Sequence, residues 1–155
     1  MNSELTVENY HTSLTSKIPA KEAFRKIQQV WLWWTSNFER SSSQVGDRFT
    51  VRFAATYVTF LVKECVEGQK MVWVVDDCHL DWLQDKKEWN TTQLVWVLRS
   101  EGNVTRIDFT HMGLVPGLEC YGDCKKGWNF YAKDSLLKLL REGMGLPETP
   151  KDQRG

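Results

Sequence analysis

The chain has 155 residues, and its 20 Lys plus Arg balance its 20 Asp plus Glu, so the formal net charge is zero. No run of basic residues supplies the footprint of a nucleic-acid binder, and no apolar stretch approaches the roughly 20 residues that span a bilayer, so neither partner is expected. A chain of this length forms one domain and buries a core without help from a disulfide or a metal. The outlier is the aromatic content. Eight Trp, seven Phe and four Tyr imply either an unusually aromatic core or a cavity with aromatic walls. The N-terminal MNSELTVENYHTS has neither the basic start nor the apolar centre of a signal peptide, so a cytoplasmic protein with reduced thiols is expected.

In chain order, residues 4–15 are rich in Thr, Val and Tyr without Gly or Pro and predict a first strand. Pro19 sits where a helix can begin, and Ala20, Ala23, Phe24, Ile27 and Val30 follow at helical spacing. Residues 31–38 predict a second short helix or a turn, and Ser41 to Asp47 a polar loop. Strand signals then dominate: 48–53 alternate Phe49, Val51 and Phe53, and Tyr57 to Val66 is β-branched and aromatic. Glu67-Gly68-Gln69 turns the chain into a strand at Lys70 to Val75. The polar, Trp-studded stretch from Asp76 to Asn90 has no period that assigns it. Thr91 to Arg99 and Val104 to Met112 flank Ser100-Glu101-Gly102-Asn103 as a hairpin. In its second arm Ile107, Phe109 and His111 share one face, while Arg106, Asp108 and Thr110 share the other. After Pro116 the period becomes helical: Leu118, Tyr121, Trp128, Ala132, Ser135, Leu136 and Leu139 form one stripe, and Gly143 ends it. Residues 1–146 are read as the domain, and 147–155 as a polar tail expected to be disordered.

One strand, short helices, a meander and a long amphipathic helix predict an α+β fold with an antiparallel sheet. That sheet, curved around the helix, leaves space between the two. The order resembles the helix-grip fold of the START-like (SRPBCC) superfamily, and more closely the family of the heat-shock-chaperone ATPase activator's C-terminal domain. The resemblance covers about residues 4–145. It is carried by Val30-Trp31 with Trp33-Trp34, by Val45-Gly46-Asp47-Arg48-Phe49, by Thr105 to Leu114, and by Gly127-Trp128 with Ser135-Leu136. It implies about six or seven strands wrapped around the long C-terminal helix, with two short helices after the first strand. The superfamily includes ligand carriers, chaperone cofactors and polyketide cyclase- or hydrolase-like enzymes, so fold does not choose among them.

The residues carry no catalytic motif: no Gly-rich phosphate loop, no Gly-x-Ser-x-Gly elbow and no acid pair of defined separation. No catalytic residue, cofactor or metal is therefore expected. Cys120 and Cys124 stand four apart on the helix start, but a second ligand pair is missing and packing thiols are the simpler reading. A nucleophilic Cys124, activated by the helix N-terminus, is the alternative. Asp76, Asp77, Asp81 and Asp85 are either an acid–base set or a solvated loop. The aromatic set points to function. Trp73, Trp96, Phe109, Trp128 and Tyr131 come from strands and a helix expected to face each other, with Trp82 and Trp89 at the mouth. His111 is expected to add one polar contact. Trp31, Trp33 and Trp34 either pack the short helices or form an exposed patch for a partner. The leading expectation is a binding protein for a small hydrophobic or aromatic ligand. The alternatives are a module that binds a heat-shock chaperone, and an enzyme using His111 with an acid.

Overall fold

The β-rich middle of the chain folds as an antiparallel meander because each apolar strand is followed by a tight turn and faces the next across the same buried side. The computed structural model describes residues 8–148. Seven strands form one sheet: β1 (Tyr10–Ser16), β2 (Phe38–Arg40), β3 (Arg48–Phe53), β4 (Thr56–Val66), β5 (Lys70–His79), β6 (Gln93–Glu101) and β7 (Val104–Met112). Their order is β1-β7-β6-β5-β4-β3-β2 and every pairing is antiparallel. The first strand is expected to begin at residue 4; positions 4–7 lie outside the described residues, and β1 begins at Tyr10.

Between β1 and β2 the chain forms α1 (Ala20–Gln28) and one 3₁₀ turn, Val30–Leu32. After β7 the C-terminal helix runs for 22 residues in three consecutive pieces: α2 (Tyr121–Trp128), a π-helical segment (Asn129–Ser135) and α3 (Leu136–Glu142). Gly143 ends it with φ +83°, the left-handed conformation that lets the chain turn out of a helix without a Cβ penalty. The sheet curves around this helix, and register shifts at Thr59/Phe60 and Val62/Glu64 break the β4–β5 ladder where bulges bend a sheet. This is the helix-grip arrangement.

Three features depart from the sequence expectation. Phe38 closes the segment expected as a short helix or turn, yet it begins β2, an edge strand of three residues paired only to β3. Three residues are too few to show a period. Strand β5 runs on through Asp76 and Asp77 to His79, because Tyr57↔His79 and Thr59↔Asp77 continue the ladder beside β4. The expected tail starts at Pro147, but Glu148 forms a bridge with Thr35, its N–H donating to the Trp34 carbonyl at 2.9 Å. Residues 149–155 lie outside the described residues.

The core is aromatic. Trp33, Trp73 and Trp96 are fully buried and contact one another through Trp96, with ring centroids 5.6 Å apart in each pair. Phe109 lies opposite Trp96 in the ladder, 4.3 Å from it, and Trp128 closes on Phe109 from the helix at 4.9 Å.

Candidate functional site

At one end of that core the rings stop filling the space. A cavity of about 310 Å³ lies where the C-terminal helix crosses the ends of β3, β4 and the loop after β5. Trp34 and Trp128 face each other across its inner wall with centroids 4.8 Å apart. Phe53 ends β3 on the same parity as buried Phe49 and Val51, and it meets Tyr131 of the π-helical segment at 6.2 Å. From the loop after β5 come Leu80, Trp89, which stacks on Trp128 at 5.8 Å, and half-exposed Trp82. Val58, Thr56, Cys124 and Gly127 complete the lining, which contains no charged side chain.

Of the residues expected to build the site, Trp128 and Tyr131 line this cavity, as do Trp82 and Trp89 from the expected mouth. Trp73, Trp96 and Phe109 lie deeper, in the solid core, at zero exposure. The Nε1 atoms of Trp73 and Trp96 meet no acceptor among the described residues, and each indole packs edge-to-face with a neighbouring ring, Phe49 for Trp73 and Trp33 for Trp96. The aromatic excess therefore goes mostly into the core, and six aromatic side chains also line the recess beside it. Trp34 stood undecided in the sequence and Phe53 was not singled out. Phe53's inward parity at a strand end was the available signal.

His111 stands behind the wall. Trp128 Nε1, which can only donate, donates to His111 Nδ1 at 3.0 Å. Nδ1 is therefore unprotonated, and Nε2–H is left to donate to Thr92 Oγ1 at 2.9 Å. The Thr92 hydroxyl donates in turn to the Trp89 carbonyl at 2.6 Å. This one-way chain uses both ring nitrogens, and no carboxylate is in it. Burial lowers the imidazole pKa to about 3, so the ring is neutral. The imidazole's polar contacts thus hold the wall, Trp128 by the hydrogen bond to its indole and Trp89 by the bond from Thr92 to its backbone carbonyl, while the Trp89 ring packs edge-to-face on His111 at 4.7 Å.

The Cys120 and Cys124 thiols are buried beside the wall. Trp89 Nε1 donates to Cys120 Sγ at 3.3 Å, and the hydrogen bond between the Cys124 and Cys120 side chains, then burial, push the Cys124 thiol far up. This direction runs against the alternative in which the helix N-terminus activates Cys124 and agrees with the packing reading, since the neighbouring thiol and desolvation both raise the group. The loop carboxylates lie on the outer surface: Asp76 pairs with Arg48, Asp81 with His79, and Asp77 with Lys87. The Lys87 ammonium and the Tyr57 hydroxyl hold the Asp77 carboxyl below its usual range. No group of three or more His, Cys, Asp or Glu among the described residues is placed to hold a metal ion. No helix among them is long and apolar enough to cross a membrane.

The family model described as "Activator of Hsp90 ATPase homolog 1-like protein" matches residues 22–141. The chain belongs to this family. Solved structures share its fold at low identity. The solution structure of the Aha1 dimer from Colwellia psychrerythraea has a TM-score of 0.71 and 19% identity, covering 88% of this chain and 98% of that one. DynU16, a putative protein in the dynemicin biosynthetic locus, scores 0.68 at 14% identity over 90% of this chain and 49% of its own. SSP2350 from Staphylococcus saprophyticus scores 0.67 at 13% identity over 90% of this chain and 96% of its own. None of the curated proteins matches the chain.

Proposed function

We propose that the protein binds a small, uncharged, apolar or aromatic molecule in the cavity between the C-terminal helix and the sheet. The supporting observation is the lining itself: six aromatic rings, Val58, Leu80 and no charge. A charged ligand would lose its hydration there without a counter-ion, which is strongly unfavourable. The volume of about 310 Å³ is at the small end of the roughly 300–1,000 Å³ of ligand pockets, which favours a ligand of two or three rings. Thr56 supplies the directional contact. Its Oγ1 accepts the Asp81 N–H at 3.0 Å, and its own proton meets no acceptor among the described residues, so it is available to a ligand carbonyl or ether.

The test uses N-phenyl-1-naphthylamine as an uncharged probe and anilinonaphthalene sulfonate as its anionic counterpart. The neutral probe should bind, raise the melting temperature and shift Trp emission, and the sulfonate should bind far more weakly. A Cβ on Gly127 meets no atom within 4 Å, so Gly127→Leu should enter the cavity without disturbing the helix. It should raise stability by about 0.5–1 kcal/mol, the usual gain on replacing a helical Gly, while abolishing binding. Equal binding by wild type and Gly127→Leu would refute the cavity as the site.

The family description favours a second reading, in which the protein stimulates the ATPase of a heat-shock chaperone. Adding it to Hsp90 should then raise ATP turnover, and an unchanged rate removes this reading.

A further inference from the structure

A second recess is built where α1 meets β2 and the Ser41–Asp47 loop. Of the three clustered tryptophans only Trp31 reaches the surface: it is 40% exposed, against 0% for Trp33 and 4% for Trp34. Its ring leans on Phe38 with centroids 5.1 Å apart, so an apolar shelf faces solvent. Arg25 of α1 and Arg40 of β2 line the same recess, of about 230 Å³, together with Ser41, Ser42 and Ser43.

These two arginines differ from the others in the described chain. Arg48, Arg52, Arg99 and Arg106 are each ion-paired to a carboxylate, and Arg141 donates to the Thr15 carbonyl. For Arg25 and Arg40 no acceptor is found among the described residues. Of the nearby acids, Glu39 is committed to Arg52, and Asp47 to the Ser41 hydroxyl and the Ser43 and Gln44 N–H groups. Arg40 also sits at φ +75°, a left-handed conformation that is strained for any side chain and is retained at positions that the surrounding fold over-determines. The loop beside it is fixed in advance. Gln28 Nε2 donates to the Ser42 and Ser43 carbonyls, and Ser42 Oγ donates to the Gln28 carbonyl at 2.7 Å.

We propose that this recess docks an acidic peptide segment of a partner protein. Two carboxylates of the segment pair with Arg25 and Arg40, and an adjacent apolar side chain covers Trp31. Guanidinium forks match carboxylates bidentately, and an exposed indole rewards an apolar neighbour. Two cations are too few for a membrane surface, whose recognition takes clusters of roughly 4–8 Lys or Arg, or for a nucleic-acid backbone. The site is separate from the cavity and stands whether or not the cavity binds a ligand.

The probe is a capped, fluorescently labelled peptide with four Glu flanking one Leu, titrated against the full chain. Its copy with Gln for every Glu and vesicles containing phosphatidylserine are the comparison arms. The acidic peptide should bind, more weakly as salt rises from about 50 to about 300 mM. Its affinity should fall at least about tenfold in Arg25→Gln/Arg40→Gln, as the loss of charge-assisted hydrogen bonds predicts, and fall also in Trp31→Ala. Arg48→Gln, which breaks a pair elsewhere, should bind as wild type, and unchanged melting curves should show that the variants fold. Equal affinity for the Gln copy, equal affinity of the double variant, or vesicle binding that the peptide does not displace would each overturn the proposal.

Discussion

His111 shows how one residue's meaning depends on partners that sequence spacing cannot supply. Alternation with Ile107 and Phe109 placed it on the buried face, and it is buried. That its Nδ1 would be taken by the Trp128 N–H was not legible, because Trp128 arrives from a helix 17 residues later. The hydrogen bond from Trp128 and the 4.7 Å edge-to-face contact with Trp89 make the histidine a positioning residue for two rings of the cavity wall. His111→Ala would remove a buried ring and leave the Trp128 N–H and the Thr92 hydroxyl without their partners. A cost of about 2–4 kcal/mol is expected from the cavity and the orphaned donor together, measured by urea unfolding at neutral pH. A change below about 0.5 kcal/mol would show that the chain contributes nothing to the fold.

Among the elements, those with several periods of pattern were legible. The β6–β7 hairpin, β4, α1 and the Gly143 helix stop are all where alternation, helical spacing or a breaker predicts them. Short or long-range elements were not: β2 exists only through its ladder with β3, and the segment after Gly143 is held by contacts far away in sequence. In that segment Leu146 N–H donates to Ser135 Oγ at 2.7 Å, and the Ser135 hydroxyl donates to the Trp33 carbonyl. Tyr131 Oη donates to Glu148 Oε1 at 3.0 Å, so the strap reaches a residue of the cavity wall. Gly145 makes this path possible. A Cβ there would collide with the Leu32 carbonyl and come within 3.1 Å of that of Ser135. Both obstacles are backbone and cannot swing aside. Gly145→Ala should therefore lift the strap and lower the melting temperature, and it should weaken probe binding by releasing Tyr131. An unchanged melting curve and unchanged binding would show that the strap is not coupled to the wall.

At the scale of the whole molecule, alternation tells which side chains turn inward but not where along a strand the packing closes. Trp73, Trp96 and Phe109 come from the middle of adjacent strands and meet each other, whereas Phe53, at the end of β3, borders empty space. The grouping of Trp82, Trp89, Trp128 and Tyr131 was therefore inferable, but its place in the fold and the share of Trp34 and Phe53 in it were not. The neutral, aromatic interior also sets how the fold responds to acid. The native His111 takes no proton until about pH 3, while in the unfolded chain it titrates near the ordinary value of about 6.5. Between these values the unfolded state binds a proton that the native state refuses, so stability falls as pH drops from about 6.5 towards about 3. Carboxylates act later. Burial raises Asp108, but the Ser13 hydroxyl and the Arg106 and Arg99 guanidiniums outweigh it and hold the group below its usual range. Its contribution is present above about pH 4 and is lost only below that. The window from about pH 6.5 to 4.5 thus separates the response of His111 from that of Asp108. Wild type should lose stability there with a slope of up to ~1.4 kcal/mol per pH unit, and His111→Gln, which cannot titrate, should show a nearly flat profile from a lower starting stability. Parallel profiles for the two proteins in urea unfolding at pH 6.5 and 4.5 would mean that the acid response originates outside the aromatic interior.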